Sequence, residues 1–505
     1  MKKTIIYAVI AVALMAIAAS ARTLSPSELK QDFAVFQNAL LELHPGLYRY
    51  STADEIKTRF DEFESKLGKP MPETEFFVLV SEFVSSIRCG HTYTNPFNQK
   101  KEVLERLTGG RHYFPFYFEF YDGMFIVTEN ASEANLPAGS AITSINGIGV
   151  DEIAEKLLGV TTADGFGTQG HRFASIGIDR ETGASFALFD IYFPMFFPLP
   201  EDGVFKVEAT DFKTQDELAF SVPAMTQAER TAEMEKRYGK TPGYDEGWEF
   251  KFLDDGSGYL KIYNFITWKL SFDFKKFLAD AFAKMRERRA SDLIIDIRGS
   301  DGGDDNVYRE LLRYLHKQPF DCRLPVKTYI RTAKADPELL KYITAYGDDV
   351  LAALKNGLPK EAYKETGDGL LEYLGDGEGN CKRLEPYADH STGKTYLLIG
   401  PSNASAAFTL PYRVQQAGLA TLIGQSTGGN KKGFNGGAYL FVSLPNSGFE
   451  FDIPVFAFKP LEEAEDSGVV PDLKVWDTPD DIAAGRDSAL EKAKALIAAG
   501  KTKDR

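Results

Sequence analysis

Three well-separated segments carry residues whose types and spacing suit attack on a carbonyl. In Ile399-Gly400-Pro401-Ser402-Asn403-Ala404-Ser405-Ala406-Ala407 an apolar run enters small residues and then a helix-forming stretch. Small residues let a substrate backbone approach, and a serine at the head of a helix has unpaired amide donors beside it. Such a hydroxyl can attack a carbonyl while the amides hold the resulting oxyanion. The plainer alternative is that Ser405 only caps the helix, as serines at such turns often do. In Asp296-Ile297-Arg298-Gly299-Ser300-Asp301-Gly302-Gly303 a strand ends in a glycine-rich turn. Its backbone N–H groups can converge on an anion, although a tight turn before a helix reads the same. In Arg88-Cys89-Gly90-His91-Thr92 a loop histidine could act as a general base, or be an ordinary surface or core histidine.

The elements that would position these residues follow from periodicity. Ser25-Pro26-Ser27-Glu28 is a capping box, and Leu29, Phe33, Phe36, Leu40 and Leu43 then share one helix face. Thr52 and Glu55 cap a second helix, and a third runs from about Glu73 into Ile87, so residues 22–110 read as an N-terminal helical domain. From residue 111 the period changes: Phe114, Phe116, Phe118 and Phe120 alternate as in a strand, and Asp122-Gly123 turns the chain back. Residues 111–225 read as β-rich, and 226–250 as a polar linker. Within 251–480, strands at 258–265, 293–297, 396–399 and 419–423 alternate with helices, which argues for a layered α/β core. Residues 331–390 read as a helical and loop insertion, and 481–505 as a closing helix.

Composition removes several classes of function. At 505 residues, with 43% hydrophobic and 13% aromatic content, the chain can build several packed domains, so disorder is excluded. Lys2 and Lys3, the apolar run Ile5 to Ala18 and Ala19-Ser20-Ala21 form an export signal, with cleavage expected before Arg22. A periplasmic or extracellular location follows, and no stable membrane insertion is expected once the signal is removed. Cleavage removes two lysines and no acid, taking the formal charge from −15 to −17. Such a chain should repel nucleic acid and anionic lipid, while an extended peptide needs no basic patch. Of Cys89, Cys322 and Cys381, the last two are the pair expected to bond, if any do. None of the six histidines falls in an H-x-x-x-H or H-E-x-x-H pattern, so a zinc site has little support.

Taken in order, the motifs resemble the carboxyl-terminal processing (tail-specific) serine peptidases and their tricorn-like branch. Ile295 to Gly303 resembles that family's D-L-R-x-N-x-G-G, and Asn403-Ala404-Ser405-Ala406 resembles its T-A-S-A nucleophile turn. Ile423 to Gly429, Leu444 to Gly448 and Gly468 to Asp472 are similar to its V-G-E-P-T-x-G, L-P-x-S-G and G-V-x-P-D. Cys89-Gly90-His91-Thr92 resembles the D-G-H-T of the tricorn-like branch, and Leu43-His44-Pro45 is similar too. Leu136 to Gly147 resembles the G-D-x-I-x-x-I-N-G run of a PDZ domain, with Ser140 in place of the aspartate. PDZ modules bind extended peptides at a sheet edge.

The resemblance implies a crotonase-like or ClpP-like core joined to a PDZ-like module and a helical domain. It implies a serine endopeptidase acting on extended polypeptides, with a free C-terminus as one way of holding them, and without a metal or other cofactor. It places the nucleophile on Ser405, the base on His91, and its orienting acid on Glu465. The oxyanion donors fall on the amides of Ala406 and of Gly302 or Gly303. Two departures stand out. Asn430 occupies the position of the processing branch's lysine base, and Gly90 the position of a serine in the tricorn-like branch. A Ser–Lys peptidase using Lys431 or Lys432, a peptide-binding homologue without catalysis, and an acyl-transfer enzyme remain as alternatives.

Overall fold

The computed structural model describes residues 22–503, apart from 97, 110, 111, 179, 181–186, 322, 323, 347, 376–382 and 392. The apolar leader and the Cys322–Cys381 pairing lie outside the described residues.

The strands that read as unbroken apolar runs lie in the middle of a six-stranded sheet. Its order is Leu473–Lys474, Thr421–Gly424, Thr395–Ile399, Leu293–Asp296, Gly258–Ile262 and Trp248–Phe252. Every neighbouring pair is parallel except the last. Both faces are covered, which is why these strands show no polar side. Ile295, Ile297, Leu397 and Ile399 face the helices Phe274–Glu287, Asp305–Leu315 and Ser405–Ala417. Ile294, Tyr396, Leu398 and Ile423 face the C-terminal helix Ser488–Lys503.

A second, antiparallel sheet of six strands is built on a long hairpin, Phe434–Ser443 with Glu450–Pro460. The hairpin joins Val326–Ile330, and three short strands complete the sheet: Ile343–Ala345, Leu371–Tyr373 and Tyr363–Glu365. The stretch 331–390, expected to be helix and loop, therefore contributes all three. They are too short to show alternation; Ile343–Ala345 pairs with the distant hairpin, while Tyr363–Glu365 and Leu371–Tyr373 pair with each other and join the sheet through Val326–Ile330.

The N-terminal helices Pro26–Leu43, Ala53–Ser65 and Glu73–Ser86 start where their capping boxes or acidic first turns predict. They do not close a core of their own. Phe36 packs edge-on against Phe451 at 5.0 Å, and Phe77 against Phe449 at 5.1 Å, so the helices share one apolar cluster with the hairpin. At the hairpin tip, the buried Asp32 accepts the amides of Asn446 at 2.7 Å and Ser447 at 2.8 Å. The same cluster runs on into a five-stranded antiparallel sheet, ordered Phe116–Tyr121, Met124–Asn130, Ala141–Ile145, Val204–Thr210 and Glu217–Pro223. The helices Val150–Val160, Gln169–Ile176 and Leu188–Phe196 accompany it.

The linker expected at 226–250 is not one. Thr226 caps a helix, Gln227–Tyr238, and the side chain that docks it is a charged one. Arg230 is 1% exposed; it meets Asp190 at 2.7 Å, donates to the Phe114 carbonyl at 2.9 Å and lies over the rings of Tyr113 and Tyr117. Hydropathy could not signal a helix anchored by a buried ion pair. Removing one partner strands the other charge, so Asp190→Ala is expected to cost about 3–5 kcal/mol, measured as a lower urea midpoint.

Candidate active site

The parallel strands Leu293–Asp296 and Thr395–Ile399 pair with Asp296 opposite Leu398, so their carboxyl ends emerge side by side. Ligands bind beyond such ends in open α/β sheets. The two turns that follow are locked together by Asn403, which is fully buried. Its amide nitrogen donates to the Ile297 carbonyl at 2.6 Å and the Ser300 carbonyl at 2.9 Å, while its side-chain oxygen accepts the Gly400 amide at 2.9 Å. Its own carbonyl takes the amides of Gly428 and Gly429. Arg298 ties the base of the glycine turn to the C-terminal helix, bridging Asp296 and Asp487 at 2.6 Å each.

Ser405 does not cap its helix. The cap position is Ala404, with no side-chain hydrogen bond, and Ser405 is the first helical residue, at φ 49°. That is the left-handed region, costly for a residue with a Cβ. It is half-buried, and among the described residues no group hydrogen-bonds its hydroxyl. The next amides, of Ala406 and Ala407, begin the helix and have no carbonyl one turn back within it. Gly302 backs directly onto this turn at φ 119°. A Cβ on Gly302 would lie 2.8 Å from Ser405 Cβ and 3.2 Å from the Ala406 nitrogen, so only glycine fits. Gly303 is held by its neighbours: Phe265 donates to the Gly302 carbonyl and accepts from the Asp304 amide.

His91 lies on the loop after Glu73–Ser86, where Arg88 reverses the chain at φ 62°. The loop is fastened from below. Gly46 donates to His44 Nδ1 at 3.1 Å, so Nε2 carries the proton and donates to Thr92 Oγ1 at 2.8 Å. Burial pushes His44 down to about 3 and keeps it neutral. Cys89 beside it accepts from Asn435 at 3.0 Å, and burial pushes its thiol up to about 11, which leaves it unreactive.

The His91 ring stacks on Tyr439 with centroids 5.9 Å apart, and its Nδ1 is buried without a hydrogen-bond partner. Burial pushes this imidazole below its ordinary value; Asp164 opposes that, His171 adds to it, and Asp301 opposes it. His171, on the helix Gln169–Ile176, meets the Pro401 carbonyl through Nδ1 at 2.9 Å. Desolvation by the surrounding protein raises the Asp301 carboxyl above the usual range, with His171 and His91 opposing. Since Asp301 precedes Gly302, this cluster adjoins Ser405.

The structure thus brings together the segments of Ser405, Ala406, Gly302, Gly303 and His91. It does not bring Glu465 to them. That side chain is 82% exposed and pairs with Lys431 at 3.3 Å, a surface pair of little energetic weight. Asn430 is buried, donating to the Asp164 carbonyl at 2.8 Å and to Asp466 at 2.6 Å, and Lys432 lies over the Tyr50 ring. Sequence reasoning missed Asn403, Asp164 and His171. A polar residue among small ones marked Asn403; the other two lie in a stretch without motifs. Among the described residues no group of three His, Cys, Asp or Glu could hold a metal ion.

Residues 256–475 match the model of Peptidase family S41. No curated protein matches the chain by sequence. Among solved structures, mature CPAF superposes with a TM-score of 0.57 at 15% identity, covering 90% of this chain and 94% of that one. A putative peptidase from Parabacteroides merdae gives 0.44 at 14% identity, covering 94% and 97%. The photosystem II D1 C-terminal processing protease gives 0.40 at 12%, covering 90% and 94%. The first of these speaks for a shared fold over nearly the whole of both chains. The matched segment carries both the Ser405 and Gly302 turns, so this part of the chain is similar to peptidase family S41, which supports a serine peptidase of the tail-specific kind.

Proposed function

We propose that the chain is an exported endopeptidase in which Ser405 is the nucleophile and His91 the general base. The observation that carries this reading is the Ser405 turn, a strained residue at a helix head whose Cβ is backed by Gly302. His91 takes the Ser405 proton as Oγ attacks the scissile carbonyl. The amides of Ala406 and of Gly302 or Gly303 hold the oxyanion. His91 then protonates the leaving amine, and water resolves the acyl-enzyme by the same route. Lys431 is the weaker candidate for the base, since it is engaged by Glu465.

The α/β sheet is read as a crotonase-like or ClpP-like core, and the sheet of residues 116–223 as a PDZ-like module that holds extended substrate, with a free C-terminus as one handle. Lys2, Lys3 and the apolar run before Arg22 support export to the periplasm or beyond. The test uses exported protein, whose N-terminus should read Arg22, in a peptide-library digest. Wild type and Lys431→Ala should cleave, and His91→Ala should lose activity by about 10³-fold or more. Undiminished cleavage by His91→Ala would remove the base assignment. The rival reading, peptide binding without catalysis, rests on the unbonded Ser405 hydroxyl. Stoichiometric labelling of Ser405 by a fluorophosphonate would dismiss it.

A further inference from the structure

Asp164 lies between the helices Val150–Val160 and Gln169–Ile176 and is 2% exposed. Its carboxylate is turned toward the His91 loop, where Oδ1 accepts the Gly90 amide at 2.9 Å. A Cβ on Gly90 would sit 3.3 Å from Oδ2 and 3.4 Å from the Asp164 nitrogen. A side chain at this position would therefore crowd Asp164. Three contacts hold Asp164 in place. Asn430 and Thr168 donate to its carbonyl at 2.8 and 2.6 Å, and the Gly165 amide binds the Arg88 carbonyl at 3.0 Å. Asp466 completes the support, accepting from Asn430 at 2.6 Å and from the Phe166 and Gly167 amides at 3.2 Å.

The residue at the lysine position is therefore a prop for a carboxylate. Among the described residues Asp164 forms no ion pair with a lysine or arginine, and a buried carboxylate calls for a counter-charge. One residue beyond Gly90 stands an imidazole whose Nδ1 is buried and unpaired. The groups facing that imidazole are the carboxylates of Asp164 and Asp301, the His171 ring, the Tyr439 ring and the buried Cys89 thiol.

We propose that Asp164, rather than Glu465, is the positioning residue of His91. This rests on the reading of His91 as the base. In this role Asp164 Oδ2 is the acceptor toward which the unpaired Nδ1 proton turns during catalysis, which would leave Nε2 as the basic nitrogen. It also provides the counter-charge when Nε2 takes the serine proton. The proton passes from Ser405 Oγ to Nε2 and then to the leaving amine.

Asp164→Asn keeps an oxygen for the Gly90 amide but offers Nδ1 the wrong partner. It should lower kcat by about 10²–10⁴-fold with KM changed by less than about threefold. The acidic limb of kcat/KM should move to lower pH by about one unit, because losing the carboxylate lowers the basicity of His91. Glu465→Gln should leave both readouts within about twofold, as befits an exposed surface pair. In a Ser405→Ala background, NMR titration of labelled histidine should report the same downward shift at His91, independent of turnover. An inactive His91→Ala beside a fully active Asp164→Asn with an unmoved limb would overturn this inference alone. An active His91→Ala would overturn the base reading and this inference with it. Collapse of kcat in Glu465→Gln would return the role to that residue.

Discussion

Ser405→Gly is expected to end peptide hydrolysis, as Ser405→Ala should, and to be more stable than Ser405→Ala by about 1 kcal/mol. Both variants remove the hydroxyl, and loss of the nucleophile in a serine peptidase costs at least about 10³-fold in turnover. They differ in backbone. Ser405 sits at φ 49°, and alanine inherits the strain while glycine does not. The comparison separates loss of the hydroxyl from relief of the backbone strain at this turn. Peptide turnover and urea midpoints of the three proteins decide the matter. Full turnover in either variant would sink the nucleophile assignment. Equal stability of the Gly and Ala variants would show that the turn is unstrained in solution.

Asn403→Asp should be nearly as damaging to activity and worse for stability. The substitution keeps the shape but sets an acid against the carbonyls of Ile297 and Ser300, which now receive two N–H donors. Two buried carbonyls lose their partners, at about 1–3 kcal/mol each. The glycine turn and the serine turn lose the amide bridge between them, so kcat/KM should fall by about 10²-fold or more through misplacement alone. Burial raises the pKa of the new acid, so the deficit should be full at pH 8. It should shrink toward pH 5, where the protonated form can donate to one of the carbonyls. Urea midpoints at the two pH values test this; a variant as stable as wild type at pH 8 would show that the amide is no pin.

The sequence made the Ser405 and Gly302 turns legible because their physics is local. An apolar strand covered on both faces, as at Leu293–Asp296 and Thr395–Ile399, reads as an unbroken run, and glycine at a close approach reads as glycine. What it hid depends on distant partners. The helix at Gln227–Tyr238 looked like a linker because its anchor, Arg230, is buried through Asp190 and not through hydropathy. Of the strands within 331–390, Ile343–Ala345 is recruited by a hairpin far along the chain, and Leu371–Tyr373 by Val326–Ile330. Motif alignment put an acid at Glu465, but tertiary packing left that residue in solvent and turned Asp164 toward the histidine loop. Asn430 shows the same limit: its identity ruled out a lysine, while its role as a prop required the loop it supports.

The contact of Asp32 with the hairpin tip spans 414 and 415 residues of chain. Pairings of that separation carry a high loop-closure cost and form late in folding. The helices that carry His91 find their apolar partners, Phe449 and Phe451, only after almost the whole chain has been synthesised. A chain emerging N-terminus first therefore cannot seat these helices on the hairpin until nearly all of it has been made, so completion of this apolar cluster is tied to the end of synthesis.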